Sequence, residues 1–362
     1  MIPLIKPFLP EPEKLMPALE TAIYSGYIAE GEQVYDFERR FGAYIQNNNM
    51  IAVSSGTGAL HIALTMIGVS KGDEVISTAL TAEPTNTTIA LTGAKVVWAD
   101  VEADTGLLDP NSVRAMITER TKAIMLVHYA GMVCDMDEFM AISKDTGIPI
   151  IEDAAHALGA KYAGRHVGST SPYTAFSFQA IKHMTTVDGG VLALSCPEAS
   201  DVARRLRWFG LDKKVARLDS NIVCAGYKYN MNNVTAAIGI CQMQELERVI
   251  GIYISNGKYF DVELCDISGI ELLRYSNNTE PSYWLYTMKV ERRDDFIKAL
   301  GAQGITASPL HMRNDRHEVF TESRRTLPAL DVFSSSFVHI PCGWWVGEEE
   351  RGKIVYVIKR GW

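Results

Sequence analysis

Cysteine is scarce and scattered in this sequence. The 362 residues include six cysteines, which form no C-x-x-C pair and no cysteine–histidine cluster with the spacing of a zinc site. Disulfide frameworks and structural zinc sites are recognised by such spacing. The sequence therefore predicts reduced thiols, a cytoplasmic location and no bound metal.

Long apolar runs and an excess of positive charge are also missing. No stretch of 18 consecutive apolar residues occurs, and the first ten residues contain a lysine and three prolines. A membrane span and the core of a signal peptide both need an uninterrupted apolar run. The formal net charge of -8 gives no overall basic field for nucleic acid or an anionic membrane. We therefore expect neither as a partner, and expect any anionic ligand to be held locally.

The sequence does contain an alternation of short β-type runs and helix-length segments. Helical patterns such as those at 59–67, 111–117 and 136–145 separate several of the runs. This order predicts an α/β fold with one seven-stranded, mostly parallel sheet covered by helices on both faces. Ligands then bind at the carboxyl ends of the strands. The seven apolar, β-branched runs lie at 51–54, 75–79, 96–101, 123–128, 149–152, 175–178 and 191–195.

The chain is long for one hydrophobic core, so we expect a second, smaller domain. A weakly interrupted helical pattern runs from Asn232 to about Leu264, and a strand-like run at 284–290 begins a different region. We place the boundary near residue 245. This gives a large domain of residues 1–245 and a smaller C-terminal α/β domain of residues 246–362.

Small residues follow the first predicted strand. The segment Ser54-Ser55-Gly56-Thr57-Gly58 leads into an apolar-periodic helix, which places backbone N–H groups at a helix N-terminus. Together with the positive end of the helix dipole, these groups can bind a phosphate. An ordinary glycine-containing turn explains this segment equally well when it is taken alone.

An acid ends a buried apolar strand in the segment from Pro149 to His156. The carboxylate of Asp153 is costly there unless a cation or hydrogen-bond donors compensate it. A protonated pyridine nitrogen would be such a partner, and it would make the ring an electron sink. His156 could donate to a phenolic oxygen of the same ring. The alternatives are that Asp153 caps the following turn and that His156 is a satisfied polar residue.

The stretch from Ala175 to Gly190 is the most informative. A predicted strand ends at Ser177, a turn presents Lys182, and Gly189-Gly190 begins the next strand. Because Ile181 and Met184 flank the lysine, partial desolvation would lower its pKa and supply the neutral amine that imine formation needs. Most lysines are solvated surface charges. A solvated surface position is less favoured for Lys182, because the possible phosphate-binding segment and Asp153 lie at strand ends of the same predicted sheet.

The segment 204–217 concentrates six basic residues in an otherwise acidic chain. Such a run could hold the pyrophosphate of a substrate. A solvated helix face explains it equally well.

Taken together, these segments resemble the DegT/DnrJ/EryC1/StrS family of sugar aminotransferases, a branch of the fold-type I PLP-dependent enzymes. The resemblance extends over nearly the whole chain. The matching segments are Ser25-Gly26-Tyr27, Val34 to Phe41, Ser55 to Leu60, Thr121 to Ile124, His128-Tyr129-Ala130-Gly131, Ile151 to His156, Phe176 to Gly190 and Gly226-Tyr227-Lys228-Tyr229-Asn230.

The resemblance implies roles for these residues and pyridoxal 5'-phosphate (PLP) as the cofactor. Lys182 would form the internal aldimine and shuttle the proton, Asp153 would pair with the pyridine nitrogen, and His156 would lie near the phenolic oxygen. The remaining implied contacts are with the phosphate: the backbone around Thr57 and Gly58, the hydroxyl of Ser177, and Asn230 from the second subunit of a homodimer, with Lys228 as the alternative crossing residue.

One position departs from the family pattern. Where relatives carry an aromatic ring that stacks on the cofactor, this sequence has Ala82. In the C-terminal region, residues 308–315 correspond to the place where the small domain approaches the active site. His311 and Arg313 are therefore candidates for substrate contact, with an ordinary surface loop as the alternative.

The resemblance implies ping-pong transfer of an amino group from glutamate, through pyridoxamine 5'-phosphate, to a nucleotide-linked keto-deoxysugar. Two alternatives stay open from the sequence. One is a PLP-dependent sugar dehydratase of the same fold, although such relatives replace the lysine with histidine. The other is a non-catalytic ligand-binding or regulatory protein, which the presence of Lys182 and Asp153 disfavours.

Overall fold

A seven-stranded sheet forms the centre of the large domain in the computed structural model, which describes residues 1–362. Its strand order is β1-β9-β8-β5-β4-β2-β3. The strands are β1 (Met50–Val53), β2 (Glu74–Thr78), β3 (Lys95–Ala99), β4 (Thr121–Val127), β5 (Ile150–Asp153), β8 (Tyr173–Ser177) and β9 (Gly190–Leu194). All seven predicted runs therefore lie in one sheet, as expected.

The sheet is mostly parallel. The pairs β2–β3, β2–β4, β4–β5 and β5–β8 are parallel, whereas β9 is antiparallel to both β8 and β1. Strands β1, β2, β5 and β9 are buried along their whole length. Burial on both faces explains why apolar and polar residues do not alternate regularly in their sequences. The α/β fold class is confirmed.

Helices cover the sheet and build the C-terminal region. Local sequence explains several of their ends: Ser55 caps the start of α3, and Gly68 ends it in the left-handed conformation with a φ of 81°. The helices are α1 (Pro12–Tyr24), α2 (Glu32–Ile45), α3 (Gly56–Ile67), α4 (Glu83–Leu91), α5 (Pro110–Met116), α6 (Met136–Thr146), α7 (Pro197–Leu206), α8 (Asn233–Met243), α9 (Leu246–Glu263), α10 (Arg293–Ala302), α11 (Pro328–Ser336) and α12 (Glu348–Lys359), with short 3-10 turns at Tyr129–Gly131, Asn314–Arg316 and Glu318–Ser323. No helix combines the length and the apolar composition needed to cross a bilayer.

The long helix expected from Asn232 to Leu264 is in fact two helices. Around Gln244 and Glu245 the hydrogen bonds tighten to the i→i+3 type, and α9 then begins at Leu246. The two helices pack against different neighbours, since α8 contacts α1 and α2, whereas α9 contacts α12. The break lets the chain turn from the large sheet toward the C-terminal region.

A second, smaller core lies in the C-terminal region. A three-stranded antiparallel sheet, β10-β12-β13, packs with α10 and α12 around it. Ile2 joins this core and exchanges backbone hydrogen bonds with Gly304 and Thr306. We propose that residues 246–362 form the small domain, with Ile2 attached to it. The remaining strands are β6 (Lys161–Tyr162), β7 (Arg165–His166), β10 (Ile270–Leu272), β11 (Thr279–Glu280), β12 (Tyr286–Val290) and β13 (Phe337–Ile340), of which β11, β6 and β7 form a third sheet.

Candidate active site

The ends of three strands meet at one edge of the large sheet. Asp153 is the last residue of β5 and Ser177 is the last residue of β8. Strand β1 runs parallel to β8, and both Val53 and Ser177 pair with Gly190. Consequently the acid, the serine and the N-terminus of α3 lie at the same edge, which is where parallel sheets bind ligands.

The N-terminus of α3 lies directly beside Ser177. A Cβ atom on Gly56 would come within 2.8 Å of the Ser177 Cβ, so only glycine permits this approach. The Ser55 hydroxyl accepts the Gly58 N–H at 3.0 Å. Because the first amides of a helix have no partner within the helix, the N–H groups of Gly56 and Thr57 stay available. These two amides and the Ser177 hydroxyl form a cradle of hydrogen-bond donors at a helix N-terminus, where phosphates bind.

Asp153 is buried, with 5% of its surface exposed. One carboxylate oxygen accepts the Thr85 hydroxyl at 2.6 Å, and the other accepts the Ala155 N–H at 3.0 Å. The Thr85 hydroxyl is in turn 2.8 Å from that of Thr81. This network fixes the carboxylate at the end of β5, and each oxygen retains lone pairs for a further donor.

Lys182 lies in the turn between β8 and β9. Part of its side chain is accessible to solvent, but the ammonium group is surrounded by protein. Burial lowers the pKa of Lys182 from 10.5 to about 8, and attraction by the Asp153 carboxylate partly offsets this effect. The ammonium nitrogen is 4.3 Å from the centroid of the Trp284 ring. The desolvation expected from the flanking apolar residues is therefore present in the structure.

The imidazole ring of His156 stacks on the indole ring of Trp284. Its ring lies 3.9 Å from the ring of Trp284, with an angle of 18° between the planes. Burial, reinforced by the charge of Lys182, holds the pKa of His156 well below its usual value, so the imidazole is neutral. Its Nδ1 accepts the Ala130 N–H at 3.4 Å, which leaves the proton on Nε2. That Nε2 is buried and has no partner, as expected for a donor that awaits a ligand oxygen.

Comparisons with known proteins identify the family of this chain. The family model described as "DegT/DnrJ/EryC1/StrS aminotransferase family" matches residues 11–359. The chain belongs to this family. CalS13 from Micromonospora echinospora, described as a sugar aminotransferase, has 32% identity and a TM-score of 0.96, with 100% of both chains covered. AtS13 from Actinomadura melliaura has 34% identity and a TM-score of 0.96, with 100% of this chain and 99% of that chain covered.

DegT/DnrJ/EryC1/StrS enzymes depend on PLP, so PLP is the cofactor of this protein. Spr1654 from Streptococcus pneumoniae, at 27% identity and a TM-score of 0.91 over 99% of this chain and 98% of that chain, has been solved in PLP and PMP forms. The residues present here fit the cofactor. The cradle at Gly56 suits its phosphate, and the unpartnered Nε2 of His156 suits its phenolic oxygen.

The candidate substrate residues have different surroundings. His311 lies close to the site, with its ring parallel to that of His156 at 6.0 Å. Burial lowers the pKa of His311 to about 4, and its Nε2 has no partner. Arg313 is buried and paired with both Asp315 and Asp331. Its guanidinium is therefore engaged within the protein, which favours a structural role, and its contact with substrate stays a prediction.

Asn230 and Lys228 lie beside the end of β1 in their own chain. Asn230 forms an antiparallel bridge with Val53, and its side-chain oxygen accepts the Lys228 ammonium at 2.6 Å. Lys228 also lies 4.4 Å from the ring centroid of Trp208. The two residues thus adjoin the strand that leads to the phosphate cradle. Whether either reaches a neighbouring subunit stays a prediction.

Five of the six basic residues in the segment 204–217 form ion pairs within the chain. Arg207 is buried between Glu30 and Glu38, at 2.7 and 2.6 Å. Ion pairs of this kind offset positive charge that a pyrophosphate would need, so binding of a substrate pyrophosphate by this segment stays a prediction. The other pairs are Arg204–Glu38, Arg205–Asp212, Lys213–Glu30 and Lys214–Asp201.

Two residues of the site were missed from the sequence. Thr85 holds Asp153, and Trp284 contacts both Lys182 and His156. Thr85 lies three residues after Ala82, the position that departs from the family pattern. A hydroxyl at the start of the helix that follows Ala82 could therefore have been predicted to lie near the site. The sequence does not indicate that Trp284 lies in the site, because a tryptophan at the start of an apolar strand is typical of an ordinary core residue.

Proposed function

We propose that this protein transfers an amino group from glutamate to a keto carbon of a nucleotide-linked 6-deoxysugar, with Lys182 as the residue that binds PLP covalently. The observation that carries this proposal is the convergence of Lys182, Asp153 and the unpartnered Nε2 of His156 beside a phosphate cradle. A protein that only binds ligands has no need for a desolvated lysine beside a buried carboxylate.

When bound, PLP supplies an electron sink that stabilises negative charge at the substrate carbon. Asp153 is positioned to hold the ring nitrogen in its protonated state, because the carboxylate is already fixed by Thr85 and Ala155. A carboxylate in a buried site interacts strongly with such a cation. Thr57, Gly58 and Ser177 would orient the group through its phosphate. Thr57 would contribute its backbone amide, and the Gly58 N–H is held by the Ser55 hydroxyl at the start of the helix.

Lys182 would move the proton in each half of the ping-pong cycle. With a pKa near 8, its amine is partly neutral at physiological pH and can take a proton at Nζ and return it. An ordinary lysine, with a pKa of 10.5, would be almost entirely charged and could not act as a base. His156, which is neutral, can donate a hydrogen bond from Nε2 without adding a competing positive charge.

The choice of amino donor and acceptor rests on the family resemblance. CalS13, with 32% identity, is described as a sugar aminotransferase, which supports a sugar as the acceptor. The nucleotide linkage of the sugar and glutamate as the amino donor are proposed from the resemblance to the family. A homodimer with active sites at the subunit interface belongs to the same proposal, with Asn230 as the residue that crosses to the partner.

The alternative of sugar dehydration has less support. Relatives that dehydrate their substrate carry histidine in place of the lysine, and this chain has Lys182. The same position argues against a non-catalytic protein, because both Lys182 and Asp153 are in place and desolvated.

The experiment that tests the proposal is a panel of UDP-, dTDP- and GDP-linked 3-keto and 4-keto sugars. Each would be incubated with the PLP-loaded enzyme and ¹⁵N-glutamate and analysed by mass spectrometry. We expect ¹⁵N in the sugar product of at least one substrate and none with Lys182→Ala. A product that has lost oxygen and gained no nitrogen would instead assign dehydration.

A further inference from the structure

The aromatic ring of Trp284 contacts both Lys182 and His156. The indole ring lies 4.3 Å from the Lys182 ammonium and 3.9 Å from the His156 ring. The residue has 1% of its surface exposed. A cation over the face of tryptophan is attracted by the negative face of the ring, and the attraction is larger when the pair is desolvated.

The protein holds this indole in a fixed orientation. Its Nε1–H donates to the carbonyl of Ile181, the residue before Lys182, at 2.9 Å. The backbone of Trp284 packs so tightly on Gly131 that a Cβ atom there would come within 2.7 Å of the Trp284 nitrogen. Gly131, with a φ of 94°, also accepts the Ser282 N–H through its carbonyl at 3.0 Å. The ring is therefore held by a hydrogen bond to the turn that carries Lys182, and the backbone of Trp284 is held by close packing on Gly131.

The other groups that face Lys182 do not hold its charge strongly. Asp153, at the end of β5, attracts the ammonium. Burial, together with the charge of Lys182, lowers the pKa of three nearby histidines: His156 after β5, His183 in the lysine turn and His311 from residues 308–315. A neutral histidine cannot act as a counter-ion. The ring face of Trp284 is thus the second favourable partner of the ammonium beside one carboxylate.

We propose that Trp284 is a positioning residue that holds the ε-ammonium group of Lys182 whenever this group is not bonded to the cofactor. The inference rests on the proposed function, in which Lys182 must release the cofactor and rebind it in every cycle. A lysine side chain has several rotatable bonds and loses considerable entropy when it is fixed. The ring would keep the Nζ atom of Lys182 near the site during the half of the cycle in which the cofactor is in its pyridoxamine phosphate form.

The direct test measures the pKa of Lys182 in apoenzyme and in enzyme loaded with pyridoxamine phosphate, since the lysine is free in both. Competitive acetylation at a series of pH values, read by mass spectrometry of the Lys182 peptide, gives this value. Fluorinated tryptophans would be introduced at position 284 by amber suppression, because fluorine weakens the negative ring face with little change of shape. We expect the pKa of Lys182 to fall with each added fluorine, by up to about one unit in total.

Two control variants separate the ring from its hydrogen bond. Trp284→Phe and Trp284→Leu both remove the Nε1–H donor to Ile181, but only Phe retains an aromatic face. We expect the Lys182 pKa to be lower in Leu than in Phe. The same fluorinated residue at Trp98, which is buried against Phe320, should leave the Lys182 pKa unchanged. A Lys182 pKa that does not respond to fluorination at position 284 would overturn the inference.

This outcome can be distinguished from failure of the proposed function. The pKa of Lys182 is measured without substrate and does not depend on turnover. If the cofactor is bonded to Lys182 but the pKa is insensitive to the ring, only the role of Trp284 fails. If the cofactor is bonded elsewhere, the proposed function fails, and the inference that rests on it fails as well.

Discussion

At the scale of single residues, the site depends on a buried carboxylate whose geometry is set before any cofactor binds. Asp153 accepts hydrogen bonds from Thr85 and Ala155, so both oxygens are oriented in advance. Preorganised charge of this kind avoids reorganisation during the reaction. The role of Asp153 as partner of the ring nitrogen can therefore be tested with little change of structure.

Replacing the carboxylate by an amide should remove catalysis but not cofactor binding. Asp153→Asn is expected to retain PLP, through the phosphate cradle, and to lose transamination by several orders of magnitude, because the electron sink is weakened. Single-turnover kinetics and cofactor absorbance measure the two effects separately. Thr85→Val, which removes one donor to Asp153 and leaves the charge, should cost much less. Near-normal turnover of Asp153→Asn would contradict the pairing.

The residues that sequence could identify are those at the ends of strands. Asp153, Ser177 and Lys182 follow apolar runs, and parallel strands bring such ends to one edge, so their proximity could be predicted. Trp284 could not be predicted, because it reaches the site from the C-terminal region through contacts that depend on Gly131 and the lysine turn. The separation of Trp284 and Lys182 along the chain does not indicate that the two side chains are in contact.

At the scale of elements, two buried asparagines join the segment 308–315 to the large domain. The Asn86 side chain donates to the Thr78 carbonyl and to the Asn314 side chain, at 3.0 and 2.9 Å. Asn314 donates to the Thr81 carbonyl at 2.8 Å. Both asparagines are fully buried. This link holds the segment that carries His311 against the start of α4, which also carries Thr85.

Removing either asparagine side chain should destabilise the protein. Asn86→Ala and Asn314→Ala each leave a buried polar group unpaired, so each should lower the free energy of unfolding by about 1–3 kcal/mol. The double variant should lose less than the sum of the two, with a coupling of about 0.5–1.5 kcal/mol. Urea unfolding of the apoenzyme measures these values, with the exposed Asn111→Ala as the control. Strict additivity would show that the two residues do not act together.

The sequence predicted strands more accurately than helices in this chain. The seven strands were recognised because each is a short apolar run between turn signals. The break between α8 and α9 was missed, since no glycine or proline marks it and the apolar pattern continues through Leu246. The cause of the break is tertiary, because the two helices pack against different parts of the molecule.

At the scale of the whole molecule, the proposed shared site predicts complementation between two defective subunits. Asn230→Ala and Lys182→Ala should each be weak or inactive alone. In a hybrid dimer, one site would combine the intact Lys182 of one subunit with the intact Asn230 of its partner, and the other site would lack both. Activity should therefore rise on mixing.

Native mass spectrometry would show that hybrid dimers have formed, and transamination would be measured on the same sample. Lys228→Ala serves as a matched variant, because Lys228 contacts Asn230 and is the alternative crossing residue. If confirmed hybrids are no more active than their parents, Asn230 acts within its own subunit. If only the Lys228 variant complements, the crossing residue is Lys228.

The central claim is that Lys182 binds the cofactor, and borohydride reduction tests it most directly. The PLP-loaded enzyme should show a visible absorption band that disappears on reduction, because reduction makes the bond between lysine and cofactor permanent. Digestion and mass spectrometry should then locate the pyridoxyl label on Lys182, the desolvated lysine beside Asp153. A label on any other lysine, or no label, would contradict the account.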